Sequence, residues 1–342
     1  MNSKPTSLQK TLILYLFLIS FLPIQCSSGQ TNYNTTGATL VLTASIPLPN
    51  VSGRIDHLAY NSKLQVIYVA ALGNNTIEVV DLKNKKVIHT ITGLSKPQGI
   101  RYIPESNIIF VANGENGECD VFNADSYQLI TSIKLEGDAD NVRYDAAAGR
   151  IYVGYGDGGI AIIDAKTFKQ LADIKLPGHP ESFQLDHDAN KIYVNVPDAQ
   201  TLVTIDLTTN TIADKWKIET ARANFPMVLD VPNHRLFIGC RNPAKLLVIN
   251  SETGKIIVAI DIESDTDDIF YDNSSKQIYI SCGGGYIDVF KTSEPDKYEA
   301  ISRIESRSGA RTSLLVPEIN QLIVAAPARS GNEAQLMIYD KK

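Results

Sequence analysis

The chain has 342 residues, a formal net charge of −6, 44 % hydrophobic residues and 20 % charged residues. That length and apolar share suit one wide domain or two ordinary ones, and an acidic balance without a basic block excludes a general nucleic-acid binder. Of the 4 cysteines only Cys119, Cys240 and Cys282 follow the N-terminal region, an odd count that excludes a disulfide framework.

In chain order, Lys4 and Lys10 precede the apolar run TLILYLFLISFLPI. It is short for a bilayer span and sits where a secretory signal sits. The run ends at Cys26, followed by the polar stretch SSGQTNYNTTG. This looks like a bacterial lipoprotein signal, in which the cysteine is acylated and becomes the new N-terminus. Leu22 lies four residues before it, but Gln25 replaces the usual small residue, so ordinary cleavage near Ser28 or Gly29 is the other reading. Residues 1–26 are thus read as a signal peptide, 27–37 as a flexible tether and 38–342 as a single domain. The expected location is outside the cytoplasm, as a periplasmic or outer-membrane/cell-surface lipoprotein, with membrane contact only through the lipid.

Residues 39–49, TLVLTASIPLP, have the pattern of a strand but no partner strand before them. From there the chain repeats. A strand recurs as IYV at 67–69, IFV at 109–111, IYV at 151–153 and IYV at 192–194, then LFI at 236–238, IYI at 278–280 and LIV at 322–324. The spacings are 42, 42, 41, 44, 42 and 44 residues. About ten residues after each comes a second strand with a polar end (IEVVD, CDVFN, IAIID, LVTID, LLVIN, IDVFK, LMIYD). Loops such as ALGNN, NGENG and SCGGG join the two. They are rich in Gly and Asn, which tolerate the positive φ of tight hairpins. A third strand follows (VIHTITGL, LITSIKLEG, LADIKLPG), and a fourth precedes the triplet (HLAYN, NVRYD, SFQLD). Four short strands per unit of this length predict a β-propeller blade. No segment shows sustained helical periodicity.

The last unit ends at LMIYDKK without an outer strand, while residues 39–49 match the outer-strand pattern. The expected fold is all-β: a seven-bladed β-propeller, four strands per blade, with the last blade closed by the N-terminal strand, which removes the open edge. The repeat, as in IYVNVPDAQTLVTID at 192–206 and IFVANGENGECDVFN at 109–123, resembles the YVTN-type propeller family, including bacterial YncE-like proteins. The resemblance spans about residues 38–342. It implies the fold and an exported setting, and no shared catalytic motif.

Loops entering the inner strands gather at one end of a propeller channel. Counting eleven residues back from each triplet gives Asp56, Gln98, Asp140, Glu181, Phe225, Asp267 and Arg311. The next column is His57, Gly99, Asn141, Ser182, Pro226, Asp268 and Thr312, and the preceding loops add Arg54, Lys96, Asp138, His179, Arg222, Asn224 and Asp265. The candidate ligand-binding rim comprises Arg54, Asp56, His57, Gln98, Asp140, Asn141, His179, Glu181, Arg222, Asn224, Phe225, Asp267, Asp268 and Arg311. Crowded carboxylates raise one another's pKa unless a cation compensates, and Arg54, Arg222 and Arg311 are the candidates for that. Phe225 breaks the polar column and reads as an apolar wall, stiffened by Pro226.

Two functions fit. The first is a non-enzymatic scaffold that binds a small polar ligand or an envelope protein through this rim, as a monomer and with no cofactor. The second is a metal-dependent, lactonase-like hydrolase or lyase. Its Ca²⁺ or Mg²⁺ on the channel axis would be held by Asp140, Glu181 and Asp267, with Asn141 as accessory ligand and His57 as general base. Catalytic motifs such as GxSxG and HExxH are absent. Cys240 and Cys282 read as free and buried, and Trp216 as outer-strand packing.

Overall fold

A computed structural model describes residues 1–2 and 39–342. Within 39–342 the chain forms seven four-stranded antiparallel sheets. Six take their strands consecutively from the chain, inner to outer. The inner strands are Leu58–Asn61, Pro97–Ile103, Val142–Asp145, Phe183–Asp186, Arg222–Asp230, Thr266–Asp272 and Thr312–Val316. We number the blades 1 to 7 in that order. Adjacent inner strands touch around the ring, blade 7 against blade 1 included. This is a seven-bladed β-propeller. Among the described residues no helix is long and apolar enough to cross a membrane, and helical geometry is confined to the 3₁₀ turns Leu72–Asn74 and Pro317–Ile319.

The triplet strands are apolar on both faces because a blade packs against a neighbour on each side. Val66–Ala71 and Gln277–Cys282 are buried throughout, and Tyr68, Phe110, Tyr152, Tyr193, Phe237 and Tyr279 are among the largest fully buried side chains. Outer strands alternate and face solvent, as in Leu129–Lys134. In blades 1 to 5 the polar residue ending the third strand closes the next turn. The backbone N–H groups of Asn84, Ser126, Thr167, Thr209 and Thr253 donate to the side chains of Asp81, Asn123, Asp164, Asp206 and Asn250. That local bond is the reason an acid or amide recurs there.

The ring closes as the hydrophobic pattern requires. Leu40–Pro47 pairs antiparallel with Gln335–Lys341, Leu40 opposite Lys341 and Pro47 opposite Gln335, with one bulge between Leu42 and Ala44. Ile46 and Leu48 then pack into the core shared by blades 7 and 1. A buried ion pair ties blade 7 to blade 6, with Lys341 Nζ 2.6 Å from Asp272 Oδ2. Cys119, Cys240 and Cys282 are free and buried. Trp216 packs beside Tyr193 and donates from Nε1 to Asp214. Cys26 and the tether lie outside the described residues.

Candidate functional site at the channel mouth

All seven inner strands contribute to a cavity of about 230 Å³ on the axis. Its mouth holds His57, Asn141, Glu181, Asp267 and Asp268, and Phe225, Met227, Val228, Ile269, Phe270 and Leu314 make an apolar wall. Arg101, Arg143 and Gln184 also line it.

The mouth is a charge network spanning several blades. Arg54 Nη2 stands 2.8 Å from Asp56 Oδ2 and 3.8 Å from Asp267 Oδ2, so blade 1 reaches past blade 7 to blade 6. His57 does the same, with Nδ1 3.6 Å from Asp268 Oδ1 and Nε2 3.7 Å from Asp56 Oδ1. Asp268 also accepts the Ser313 N–H at 2.8 Å. One carboxylate therefore links blades 6, 7 and 1 at the axis. Burial opposes a charge on His57, but Asp268, Asp56 and Asp140 overcome it and lift the pKa to about 10. The surrounding acids thus favour the imidazolium form of His57, the opposite of what a general base at neutral pH needs.

Excess negative charge falls on the remaining acids. Burial first, then Glu181 and Asp56, push Asp140 well above the usual carboxylate range. Burial, then Asp267 and Asp56, do the same to Glu181. Asp267 is raised by burial, with Arg241 pulling the other way. Asp140 Oδ1 is buried without a hydrogen-bond partner. Position 99 admits only glycine here, since a Cβ would lie 1.9 Å from the Asp140 carbonyl oxygen.

Phe225 sits at the axis, half-buried, and not between blades. The guanidinium carbon of Arg241 lies 3.9 Å from its ring centroid. Arg241 also donates to Asp267 Oδ1 at 2.6 Å and to the Thr266 carbonyl at 2.8 Å. Blade 5 achieves this because its inner strand starts early and carries a bulge between Asn224 and Met227. Pro226 lies in the bulge, where a missing N–H costs no ladder bond.

Several expected rim residues stand elsewhere. Arg222 pairs with Asn242 in the lengthened strand and is exposed, away from the cavity. Asn224 is fully buried and donates to Asn195 and to the Thr201 carbonyl, joining blades 4 and 5. Arg311 turns to Asp265, 3.0 Å away. Gln98 donates to Asp138 at 3.0 Å, and His179 Nδ1 donates to the Gly156 carbonyl at 2.7 Å with Asp138 3.8 Å away, an outer arc on blades 2 to 4. Asp56 and Asp140 are buried behind the lining. Among the described residues no group of three or more His, Cys, Asp or Glu side chains is placed to hold a metal ion, so Asp140, Glu181 and Asp267 do not form a ready-made centre.

Counting back eleven missed the channel wall. Counting back eight gives Ala59, Arg101, Arg143, Gln184, Val228, Phe270 and Leu314, of which all but Ala59 line the cavity. Arg241 follows its triplet, where a backward count never looks.

No protein-family model matches the sequence, and no curated protein matches it. Solved structures do. A chain of the mitotic checkpoint complex shares 13 % identity at a TM-score of 0.72, over 97 % of this chain and 99 % of that one. A chain of Kuenenia stuttgartiensis hydrazine synthase shares 14 % at 0.71, over 84 % of this chain and 97 % of that one. At such identities the likeness is one of fold, and the fold it supports is the β-propeller.

Proposed function

We propose that this is an exported, non-enzymatic binding propeller of the YVTN type, which works as a monomer and holds a small polar ligand in its axial cavity. One observation carries the reading: a single cavity on the axis joins an apolar wall around Phe225 to a charged mouth built from His57, Glu181, Asp267 and Asp268. Small-molecule sites combine those two kinds of surface. A flat mouth would have favoured a protein partner. The checkpoint-complex neighbour, by its name part of an assembly, lends that alternative only the general habit of the fold.

A thermal-shift screen of the purified protein against organic acids, amino acids, sugars and polyamines tests it. At least one class raises the melting temperature, as ligands of the native state do, and Phe225→Ala and Glu181→Gln each abolish the response. No stabilising compound, or the same response in both variants, overturns the reading.

A second reading has one observation in its favour, the unpartnered Asp140 Oδ1. Asp140, Glu181 and Asp267, with Asn141, would then take up a Ca²⁺ or Mg²⁺ after side-chain rearrangement and support hydrolase or lyase chemistry. Stoichiometric Ca²⁺ or Mg²⁺ in protein purified without added metal supports it; metal-free protein unchanged in melting by either ion sinks it.

A further inference from the structure

Two groups in the cavity are left over once the rim network is paired. Arg101 sits on the inner strand of blade 2, opposite Phe110, and lines the cavity. Its guanidinium has no hydrogen-bond or ion-pair partner among the described residues. Its side chain is reachable by solvent along the channel, yet the surrounding wall desolvates it enough to lower its pKa. Arg143 occupies the same position on blade 3, opposite Tyr152. It is fixed by three bonds, from Nε to the Phe183 carbonyl at 2.9 Å, Nη1 to the Val142 carbonyl at 3.0 Å and Nη2 to Ser182 Oγ at 2.9 Å. A guanidinium has five N–H donors, so Arg143 keeps spare ones for the cavity. The two arginines are close enough for Arg101 to help depress the pKa of Arg143.

The other unpaired group is Glu181, whose carboxyl is held back from ionising by burial and the crowded acids and so gains most from an arriving cation. It lines the same cavity, and its carboxyl has no hydrogen-bond or ion-pair partner among the described residues. Glu181 and Arg101 do not pair with each other. A carboxylate and a guanidinium that share a cavity of about 230 Å³ and stay apart leave both ends open to a guest. Each end is built for the opposite charge.

We propose that the channel ligand is a small zwitterion of the α-amino-acid kind, with its carboxylate on Arg101 and the spare donors of Arg143. Its ammonium lies at the mouth on Glu181, and its side chain rests on Phe225 and Phe270. A guanidinium binds a carboxylate through two parallel bonds, which suits this end. A phosphate dianion fits less well, because it would have to pass Glu181, Asp267 and Asp268. An uncharged ligand would displace water from both groups without compensating either, at a real cost in free energy. This inference rests on the binding reading above and names its ligand class.

Isothermal titration with three matched probes tests it: L-phenylalanine, phenethylamine, which lacks the carboxylate, and 3-phenylpropanoate, which lacks the ammonium. Phenylalanine should bind at least about tenfold more tightly than either half, the scale of one charge-assisted contact. Arg101→Gln should cost phenylalanine about tenfold and leave phenethylamine unchanged, with Arg101→Lys in between. Glu181→Gln should weaken phenethylamine and spare 3-phenylpropanoate. If Arg101→Gln does not fold, the three probes on the unaltered protein still decide. Phenylalanine no better than its halves, or indifferent to Arg101→Gln, overturns the proposal. If these probes fail while another class from the metabolite screen binds and is lost in Phe225→Ala, the zwitterion falls and the binding reading stands. If nothing binds, both fall.

Discussion

The guanidinium of Arg241 is stacked on the ring of Phe225, 3.9 Å from its centroid, while its Nη2 grips Asp267. The phenylalanine is therefore both part of the cavity wall and the platform that aims a cation at the acid cluster. Removing the ring should loosen Arg241 and raise the Asp267 pKa further. A double-mutant cycle of Phe225→Ala and Arg241→Met, read by melting, should give a coupling of roughly 0.5–1 kcal/mol, the range for a partly exposed cation–π pair. Strictly additive effects would show that ring and guanidinium act independently.

The mouth makes stability fall as pH rises. Asp140 and Glu181 have native pKa values above their unfolded ones, so the folded state binds their protons more readily. Stability drops as pH climbs from about 4 through the native values. His57 continues the trend: its contribution is intact below the ordinary histidine value of about 6.5 and is lost as pH rises towards about 10. Melting temperature should decline steadily from about pH 5 to 9. Glu181→Gln should raise it at about pH 8 by ~2–3 °C, roughly what 1 kcal/mol gives in a large domain, and flatten the slope. A lower melting temperature for that variant would contradict the crowding of the acids.

On the acid side a different pair governs. Burial opposes the charge of Asp272, but hydrogen bonds from Lys341, Ser274 and Ser275 hold its pKa below the ordinary range. Its contribution is present above about pH 4 and is lost as pH falls through the native value. Lys341→Met strands a carboxylate that is only 6 % exposed, and breaking such a pair costs about 3–5 kcal/mol. Adding Asp272→Asn should restore most of it. Denaturant melts of the single and double variants check this; a double variant no better than Lys341→Met would refute it.

Ile46 is 1 % exposed on the closing strand. Ile46→Ala should cost about 2–4 kcal/mol, and deleting residues 39–49 should bare the edge of Gln335–Lys341 and cause aggregation. Deleting 27–37 should leave melting unchanged. Loss of 39–49 without effect would disprove the role of that strand in stability.

If Cys26 carries lipid, Cys26→Ala should move the protein to the soluble envelope fraction and abolish labelling by a fatty-acid analogue. Unaltered protein that is wholly soluble and begins at residue 29 or 30 would show ordinary cleavage.

The fold was legible because each triplet strand is buried on both sides and so keeps its apolar letters, IYV or a near variant, at a fixed spacing. The ring position of Phe225 followed from the same count. Arg222 and Asn224 were misplaced because blade 5 begins its inner strand early and bulges before Met227, turning one side chain outward and sealing the other between blades. A bulge has no letter of its own. Arg101 and Arg143 were missed because inner-strand columns tolerate any side chain that a channel can hold, so no recurring residue type marks them. The pairing of Arg241 with Phe225 joins two strands of one hairpin across that same irregularity, and only coordinates reveal it.

The pairing of Leu40 with Lys341 also sets an order in time. The closing strand is made before every inner strand but finds its partner only when Gln335–Lys341 is made, so until then a growing chain can cover Ile46 and Leu48 only from the blade 1 side. Closing so long a loop is entropically slow but costs little more than closing a shorter one. The ring is thus a clasp whose two halves are made before the first blade and after the rest of the seventh. A chain cut short anywhere in its final blade would be left with six formed blades and an open seam.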